Sequence, residues 1–244
     1  MLVKSKVKYI QSLSQKQFRD AENAFVAEGP KLFDELIASS SVMLKEVFAS
    51  PSWIEKHRDL KSDIHQVSEQ ELEKISSLVN PNQVVAIFTK PKFNTPHHLK
   101  NSLTLLLDTI QDPGNLGTIL RCADWFGVPL VVCSPECADA FASKVIQATM
   151  GSICRVEVLY TDLHEFIATN KAIPLYAATM DGKNITEMLP VNEGMLMIGN
   201  ESKGVRDSLL SLAQHKVKIH GNGKAESLNA AVATGILLAM MTVE

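Results

Sequence analysis

Hydrophobic residues in the first part of the chain alternate between the spacing of strands and that of amphipathic helices. Val7, Ile10 and Leu13 recur at the spacing of one helix face. Short apolar runs bounded by polar residues predict strands, at 24–27, 44–49, 64–67 and 84–88. Helices are predicted between them, in 28–37, from Pro51, and from Ser68, which opens a capping-box pattern. This part of the chain is therefore predicted to be a small α/β domain.

The later part of the chain repeats this alternation with more apolar strands. Leu103–Leu107 is apolar on both faces, which is typical of a strand in the middle of a parallel sheet. Strands are predicted at 103–108, 130–133, 154–159, 175–178, 195–198 and 217–219, and helices at 115–126, 139–150, 162–170, 205–214 and 227–242. The pattern predicts an α/β sheet with helices on both faces. In such sheets, ligands bind beyond the carboxyl ends of the strands.

A polar stretch that contains two prolines separates the two parts. Pro91 and Pro96 lie among lysine, asparagine and histidine residues, a composition that favours a linker near residues 90–100. We therefore predict two domains, 1–95 and 96–244.

Composition places the chain among ordinary globular proteins. Hydrophobic residues make up 45% and charged residues 21% of the 244 positions. No apolar run reaches the roughly 18–20 residues of a membrane span, and the basic start is not followed by a signal-peptide core. We therefore expect a cytoplasmic protein with no membrane partner. The cysteines lack the paired spacing of a zinc site, so we expect free thiols and no metal; they are Cys122, Cys133, Cys137 and Cys154.

Charge is unevenly distributed along the chain although the net charge is only −3. Residues 1–100 carry 14 basic and 12 acidic side chains, whereas residues 101–244 carry 10 and 15. The first segment, which includes Lys16 and Arg19, is basic and could attract the phosphates of a nucleic acid. The alternative is a solvated helix face, which charge alone favours.

Three loops in the later part carry candidate chemistry, and the first is 112–121. Asp112, Pro113 and Gly114 form a strong turn signal before a helix. Gly117 and Arg121 are four residues apart and are expected on one face of that helix. A guanidinium at a pocket mouth can hold a phosphate through two hydrogen bonds. The alternative is an arginine that reaches from the helix into solvent.

The second loop, 198–205, has two glycines five residues apart, like a phosphate-binding loop. A Walker motif requires lysine and then serine or threonine directly after the second glycine. Val205 and Arg206 follow Gly204 instead, so we exclude a nucleotide triphosphatase. Glu201 could accept hydrogen bonds from a ligand or from Arg121, or it could be an acid at the start of the next helix.

The third loop runs from Ile219 through a Gly-Asn-Gly turn to the last helix. Ser227 is predicted to be the N-cap of that helix, which would place Asn229 in its first turn. The chain contains no GxGxxG pattern, so a dinucleotide-dependent dehydrogenase is unsupported.

Taken together, the three loops resemble the SpoU, or TrmH-type, branch of the SPOUT RNA methyltransferases. The first loop matches the family pattern at Asn115, Gly117 and Arg121, the second at Gly199, Asn200, Glu201 and Gly204, and the third at Ser227, Leu228 and Asn229. Order and spacing also agree over residues 101–244. The first domain resembles, less specifically, the family's RNA-binding domain, which is similar to a small α/β fold of some ribosomal proteins.

The resemblance implies a SPOUT-type open parallel sheet that ends in a trefoil knot, although threaded chains are rare among proteins. It implies S-adenosylmethionine as the cofactor, a structured RNA as the partner, and a homodimer with its sites near the subunit interface. The implied cofactor-binding residues are Thr179, Ile198, Gly199, Asn200, Gly204, Ile219, Ser227, Leu228 and Asn229. The implied RNA-binding residues are Lys16, Arg19 and Arg121. The chain departs from the family at Gln147, His220 and Gly221, which bears on the substrate more than on the reaction.

The implied reaction is transfer of a methyl group to a ribose 2′-hydroxyl, with ribosomal RNA favoured by the two-domain layout. The implied catalytic residues are Asn115, Arg121, Glu201, Ser227 and Asn229. Arg121 would hold the phosphate beside the target ribose. Asn115 and Glu201 would orient Arg121 and the ribose, and Ser227 and Asn229 would shape the cofactor loop. Either that phosphate or Arg121 takes the hydroxyl proton, and the permanent charge of arginine favours the phosphate. The alternatives are a tRNA 2′-O-methyltransferase, a non-catalytic RNA-binding module on the same fold, and a small-molecule enzyme on a doubly wound sheet.

Overall fold

The structure is a computed structural model that describes residues 2–93, 99–188 and 190–242. The chain forms two compact units: Met1–Asn94 with Phe141–Cys154, and Thr95–Ala140 with Arg155–Glu244. The predicted domains 1–95 and 96–244 differ from this division at segment 141–154, which belongs to the first unit. The linker predicted near residues 90–100 lies partly outside the described residues.

The helices and strands alternate along the chain. The helices are α1 (Lys4–Ser12), α2 (Lys16–Ala21), α3 (Pro30–Ile37), α4 (Pro51–Lys56), α5 (Glu69–Ile75), α6 (Pro113–Trp125), α7 (Ser143–Thr149), α8 (Leu163–Thr169), α9 (Asp207–Leu210) and α10 (Ala230–Thr242). The strands are β1 (Ala24–Glu28), β2 (Leu44–Ala49), β3 (Asp63–Gln66), β4 (Val84–Thr89), β5 (Leu103–Leu107), β6 (Leu130–Cys133), β7 (Glu157–Tyr160), β8 (Leu175–Asn184), β9 (Gly194–Ile198) and β10 (His215–Lys218). No helix among the described residues is both long enough and apolar enough to cross a bilayer.

The first unit contains a four-stranded sheet in the order β1-β4-β2-β3. Strand β4 is antiparallel to both β1 and β2, and β2 is parallel to β3. The predicted capping box at the start of α5 is confirmed, because Ser68 and Glu71 each accept a hydrogen bond from the other's backbone amide. Segment 141–154 packs here through α7 against β1, and the Phe141 and Phe25 rings lie 5.6 Å apart.

The second unit contains a six-stranded parallel sheet in the order β10-β8-β9-β5-β6-β7. The prediction that Leu103–Leu107 is a central strand is confirmed, since all five residues are buried. All strands run the same way, so their carboxyl ends meet at one edge of the sheet. The loops after β5, β8, β9 and β10 therefore start at that edge. The threading of the chain through a trefoil knot stays a prediction.

Several predicted boundaries in this part of the chain were wrong, including the helix predicted over 139–150, which is Ser143–Thr149, and the strand predicted over 217–219, which is His215–Lys218. The strand predicted from 154 begins at Glu157, because Ser152–Cys154 form a short 3-10 helix. The strand predicted at 175–178 continues to Asn184, because β10 pairs first with Tyr176 and Ala177 and then, after a register shift, with Lys183 and Asn184. The helix predicted over 205–214 is only the single turn α9. The extension of β8 depends on its pairing with β10, a contact distant in sequence that local periodicity does not report.

Candidate active site

The first loop leads into α6 through a helix cap. The Asp112 carboxylate accepts a hydrogen bond from the Asn115 amide at 2.9 Å, and Pro113 occupies the first helical turn. Proline suits that position because the first amides of a helix have no intrahelical partner. Leu116 and Gly117 face the core, which leaves Asn115 half-buried in the first turn. The side chain of Asn115 is therefore held at the carboxyl edge of the sheet.

The second loop closes on itself directly after β9. The backbones of Asn200 and Gly204 exchange two hydrogen bonds, at 3.1 and 2.8 Å. A Cβ atom on Gly199 would lie 2.1 Å from the Gly204 carbonyl carbon, so only glycine fits there. The side-chain oxygen of Asn200 also accepts from the Ser202 amide, at 3.0 Å. This turn holds Glu201 near its tip.

The third loop is exposed throughout residues 220–229 and ends at α10. The prediction that Ser227 caps this helix was wrong: the Asn229 side-chain oxygen accepts from the amides of Ala231 and Val232, at 3.0 and 3.3 Å. The helix therefore begins at Ala230, and Asn229 is its N-cap. Ser227 is exposed on the loop before the cap.

A chain of hydrogen bonds joins the three loops. The Asn115 side-chain amide donates to a Glu201 carboxylate oxygen. The Asn229 side-chain amide donates to the Asn115 side-chain oxygen at 2.8 Å. Glu201 and Asn229 therefore both bond to the Asn115 side chain, although they lie 86 and 114 positions away from it in the sequence. Asn115 serves both because an amide is a donor and an acceptor at once.

Arg121 lies apart from this chain of hydrogen bonds. It is exposed on α6, and it makes no hydrogen bond or ion pair with any described residue. The expectation that Asn115 and Glu201 orient Arg121 does not hold within one chain, since these two side chains bond to each other and to Asn229 instead. Arg121 shares its helix face with Trp125, four residues on, whose side chain is 83% exposed.

Comparison with known proteins identifies the family. A family model described as the SpoU rRNA Methylase family matches residues 102–239. The chain belongs to the SpoU rRNA methylase family. A second model, described as the MRM3-like substrate binding domain, matches residues 4–86.

Relatives of this SpoU-family chain match over nearly its full length. It is 30% identical to a 23S rRNA (guanosine(2553)-2'-O)-methyltransferase from Bacillus subtilis (strain 168), over 96% of this chain and 94% of the relative. The structure of an AdoMet-bound rRNA methyltransferase from Sinorhizobium meliloti matches with a TM-score of 0.84 and 30% identity, over 99% and 95% of the two chains. The match to a structure described as an RNA 2'-O ribose methyltransferase has a TM-score of 0.85 and 25% identity, over 98% and 95%.

The residues predicted to hold the cofactor follow neighbouring strands of the SpoU-type sheet. Thr179 lies in β8, Ile198 ends β9, and Ile219 follows β10. The remaining predicted residues are Gly199, Asn200 and Gly204 in the second loop and Ser227, Leu228 and Asn229 in the third. Because β10, β8 and β9 are adjacent in the sheet, these residues start from one part of its edge.

The polar groups there fit a small polar ligand such as S-adenosylmethionine. Outside the strand ladders, no backbone hydrogen bond between described residues involves 220–228, so these amides and carbonyls can face a ligand. The buried Thr179 hydroxyl has no hydrogen-bond partner of normal geometry in the described part of the chain, although it lies near enough to Asp181 to lower the pKa of that carboxyl. Both observations match a site whose contacts come largely from backbone and one hydroxyl. The described residues contain no group of three or more His, Cys, Asp or Glu arranged for a metal.

The two residues of the first unit that were predicted to bind RNA lie in different environments. Lys16 is exposed at the start of α2. Arg19 is only 3% exposed, and it donates from Nη1 to the carbonyls of Leu13 and Ser14, at 2.8 and 2.6 Å. An RNA contact by Arg19 does not fit this placement, because its guanidinium is already used in the turn between α1 and α2. Sequence reasoning missed the burial because a lysine-rich segment resembles a solvated surface.

The structure adds two residues to the site that sequence analysis did not select. Asp108 and Thr109, directly after β5, bond to both ends of the second loop. The available signal was a carboxylate directly after a largely apolar strand, at the edge where such sheets bind ligands.

Proposed function

We propose that this chain transfers a methyl group from S-adenosylmethionine to a ribose 2′-hydroxyl of ribosomal RNA. The observation that carries the proposal is the chain of hydrogen bonds from Glu201 through Asn115 to Asn229. It brings together, at the carboxyl edge of the parallel sheet, the three loops that the SpoU family shares. The relatives that match both units favour ribosomal RNA over tRNA as the substrate.

The chemistry requires alignment more than activation. Bound S-adenosylmethionine supplies a methyl group that is already reactive on its sulfonium. The residues of this chain hold the ribose so that its oxygen, the methyl carbon and the sulfur lie nearly in line, which lowers the entropic part of the barrier. The hydrogen bonds from Asn115 to Glu201 and Asn229 hold the three loops in place around these reacting atoms. The Arg121 guanidinium holds the phosphate beside the ribose through paired hydrogen bonds. That phosphate takes the proton that the 2′-hydroxyl loses on methylation, because arginine keeps its charge.

We infer that two copies of the chain pair through α6 and α10. These helices pack together, and α10 exposes Val232, Ile236 and Met240 at four-residue spacing. With Trp125 on α6, they form an apolar surface of a kind that marks interaction sites. A second copy seated there would bring its own loops close to Arg121. This arrangement accounts for a predicted catalytic residue that bonds to none of the described residues of its own chain.

Sedimentation of a Trp125→Glu variant tests the dimer. A carboxylate at the centre of an apolar interface lacks a partner and opposes association. We expect the variant to sediment as a monomer, with little methyl transfer and an unchanged circular dichroism spectrum. A Lys171→Glu variant, changed on an exposed residue beyond α8, should remain dimeric. A fully active monomeric Trp125→Glu protein would contradict the pairing.

We place the reaction in the cytoplasm. The four cysteines are free thiols, three of them buried, as the sequence predicted. Free thiols fit a reducing compartment, where disulfides are rare.

The direct test is methylation of RNA by the purified protein. The protein is incubated with methyl-labelled S-adenosylmethionine and unmodified ribosomal RNA or tRNA, and 2′-O-methyl nucleotides are mapped by their resistance to alkaline cleavage. We expect label on a ribose of ribosomal RNA. Label on tRNA alone would favour the tRNA alternative. RNA binding without binding of S-adenosylmethionine would identify a non-catalytic module.

A further inference from the structure

A buried carboxylate outside the family motifs lies directly against the second loop. Asp108 follows β5, and its side chain is fully buried. Its Oδ2 accepts a hydrogen bond from the Arg206 amide at 2.8 Å, and its Oδ1 lies 2.7 Å from Arg206 Nη2. The Thr109 hydroxyl donates to the same Oδ1 at 3.0 Å. A buried carboxylate requires such partners, because removing its charge from water is otherwise costly.

The next residue holds the start of the same loop. The Thr109 carbonyl accepts a hydrogen bond from the Asn200 side-chain amide at 3.0 Å. The Thr109 amide donates to the Ser134 hydroxyl at 3.1 Å, which connects it to the end of β6. Thr109 has φ of 60°, a left-handed conformation that is unusual for a β-branched residue. Such a conformation persists only where the surroundings hold it.

Asp108 and Thr109 therefore hold the second loop at both ends. Thr109 bonds to Asn200 near the start of the loop, and Asp108 bonds to Arg206, the residue directly after it. Between these anchors lies Glu201, whose carboxylate accepts the hydrogen bond from Asn115. The side chain of Arg206 is about half exposed, and Glu136 lies 3.8 Å from it as a second, weaker partner.

We propose that Asp108 is a positioning residue for methyl transfer. Its ion pair with Arg206 fixes the second loop in the conformation that receives S-adenosylmethionine. The inference rests on the proposed function, because it takes that cofactor and that reaction as given. Asp108 acts through the loop: a loop already held in place does not have to be ordered when the cofactor binds, so binding is tighter.

Two variants separate this role from ordinary stabilisation. Asp108→Asn keeps the shape and can still accept from the Arg206 amide, but it removes the charge opposite the guanidinium. Arg206→Gln removes the cation from the other side, and its partly exposed position keeps the variant foldable. We expect each to weaken S-adenosylmethionine binding about tenfold in calorimetry, the scale of one lost charged hydrogen bond. KM for the cofactor should rise, while KM for RNA stays unchanged.

The matched control removes an ion pair elsewhere in the second unit. Asp124 pairs with Arg155 at 2.9 Å, outside the three loops, and Asp124→Asn should leave cofactor affinity unchanged. Arg206→Lys keeps the cation and should restore part of the affinity. A lower melting temperature with cofactor affinity within about twofold of the wild type in both variants would overturn the proposal. If the wild-type protein bound no S-adenosylmethionine, the proposed function itself would fail, which is a distinct result.

Discussion

In the first unit, the buried guanidinium of Arg19 donates to the carbonyls of Leu13 and Ser14, which lie only six and five residues before it. In the second unit, the half-buried Asn115 joins Glu201 and Asn229, which lie 86 and 114 residues after it. The first arrangement satisfies a local turn, and the second holds distant loops in one place. A polar group that only completes a turn should affect stability, whereas one that joins loops at the sheet edge should affect catalysis.

The largest expected effect falls on Arg121, a predicted catalytic residue that takes part in neither arrangement. Arg121→Ala should lower the rate of methyl transfer by about 10²–10³-fold, the scale of losing one preorganised donor to a charged group. Binding of S-adenosylmethionine and the melting temperature should barely change, because Arg121 has no partner among the described residues. Single-turnover kinetics and calorimetry measure the two quantities. Lys171→Ala, also exposed, is the control, and near-normal turnover by Arg121→Ala would remove Arg121 from the mechanism.

Asn115→Ala tests whether the hydrogen bonds that join the three loops matter for catalysis, and it should cause the next largest loss of turnover. It removes the hydrogen bonds to Glu201 and Asn229, so the three loops lose their common partner. We expect turnover to fall by up to about a hundredfold, since small displacements of aligned groups have effects of this size. Thr118→Ala, on the same helix, removes only a hydroxyl that bonds to the Gly114 carbonyl at 2.8 Å and should leave turnover intact. Equal activity in the two variants would mean that the chain of hydrogen bonds is structural only.

The sequence predicted the parts of the second unit that depend on local pattern. The largely apolar segment Leu103–Leu107 identified the central strand, and the resemblance of three loops to the SpoU family identified Asn115, Glu201 and Asn229 as candidates. These three side chains can lie close together because the carboxyl ends of parallel strands are at the same edge of the sheet. Periodicity reports neighbours along the chain, however, so it could not reveal which side chains would bond to each other.

The features that sequence analysis did not predict have two causes. Some depend on contacts between residues distant in sequence, and one is a buried side chain in a segment whose composition is typical of a surface. Asp108 and Arg206 pair across 98 positions, and no local signal connects them. Segment 141–154 belongs to the first unit, where Phe141 packs against Phe25. Its helical pattern predicts a helix but does not indicate which unit the helix packs in. Arg19 was assigned to RNA because lysines surround it in sequence, whereas its burial depends on how α1 turns into α2.

The reassignment of Arg19 leads to a prediction of intermediate size. Arg19→Met should lower the free energy of unfolding by about 1–3 kcal/mol, because one buried and one part-buried carbonyl lose their donor. RNA affinity per folded molecule and its dependence on salt should not change. Urea denaturation and filter binding measure these two effects.

Lys16→Met is the matched comparison for Arg19 and should give the reverse result. Stability should stay within about 0.5 kcal/mol, as is usual for exposed positions. RNA binding should weaken, and its salt dependence should fall by about one counterion for each lost phosphate contact. If Arg19→Met altered the salt dependence and Lys16→Met did not, the buried arginine would have to be an RNA contact after all.

The smallest effect is expected at an exposed ion pair of the first unit. Lys90 hydrogen-bonds to Asp20, and this bond holds the pKa of the Asp20 carboxyl below its ordinary value. A lowered pKa in the folded state means that the pair stabilises the fold above the ordinary carboxyl pKa. That contribution disappears as the pH falls through the lowered value. Because the Asp20 side chain is 51% exposed, Asp20→Asn should cost at most about 0.5 kcal/mol at neutral pH. The cost should shrink as the pH falls through the lowered pKa, because the wild-type carboxyl then becomes protonated as well. Urea denaturation at neutral and at acidic pH measures the difference, and a larger loss at acidic than at neutral pH would contradict the sign of the shift.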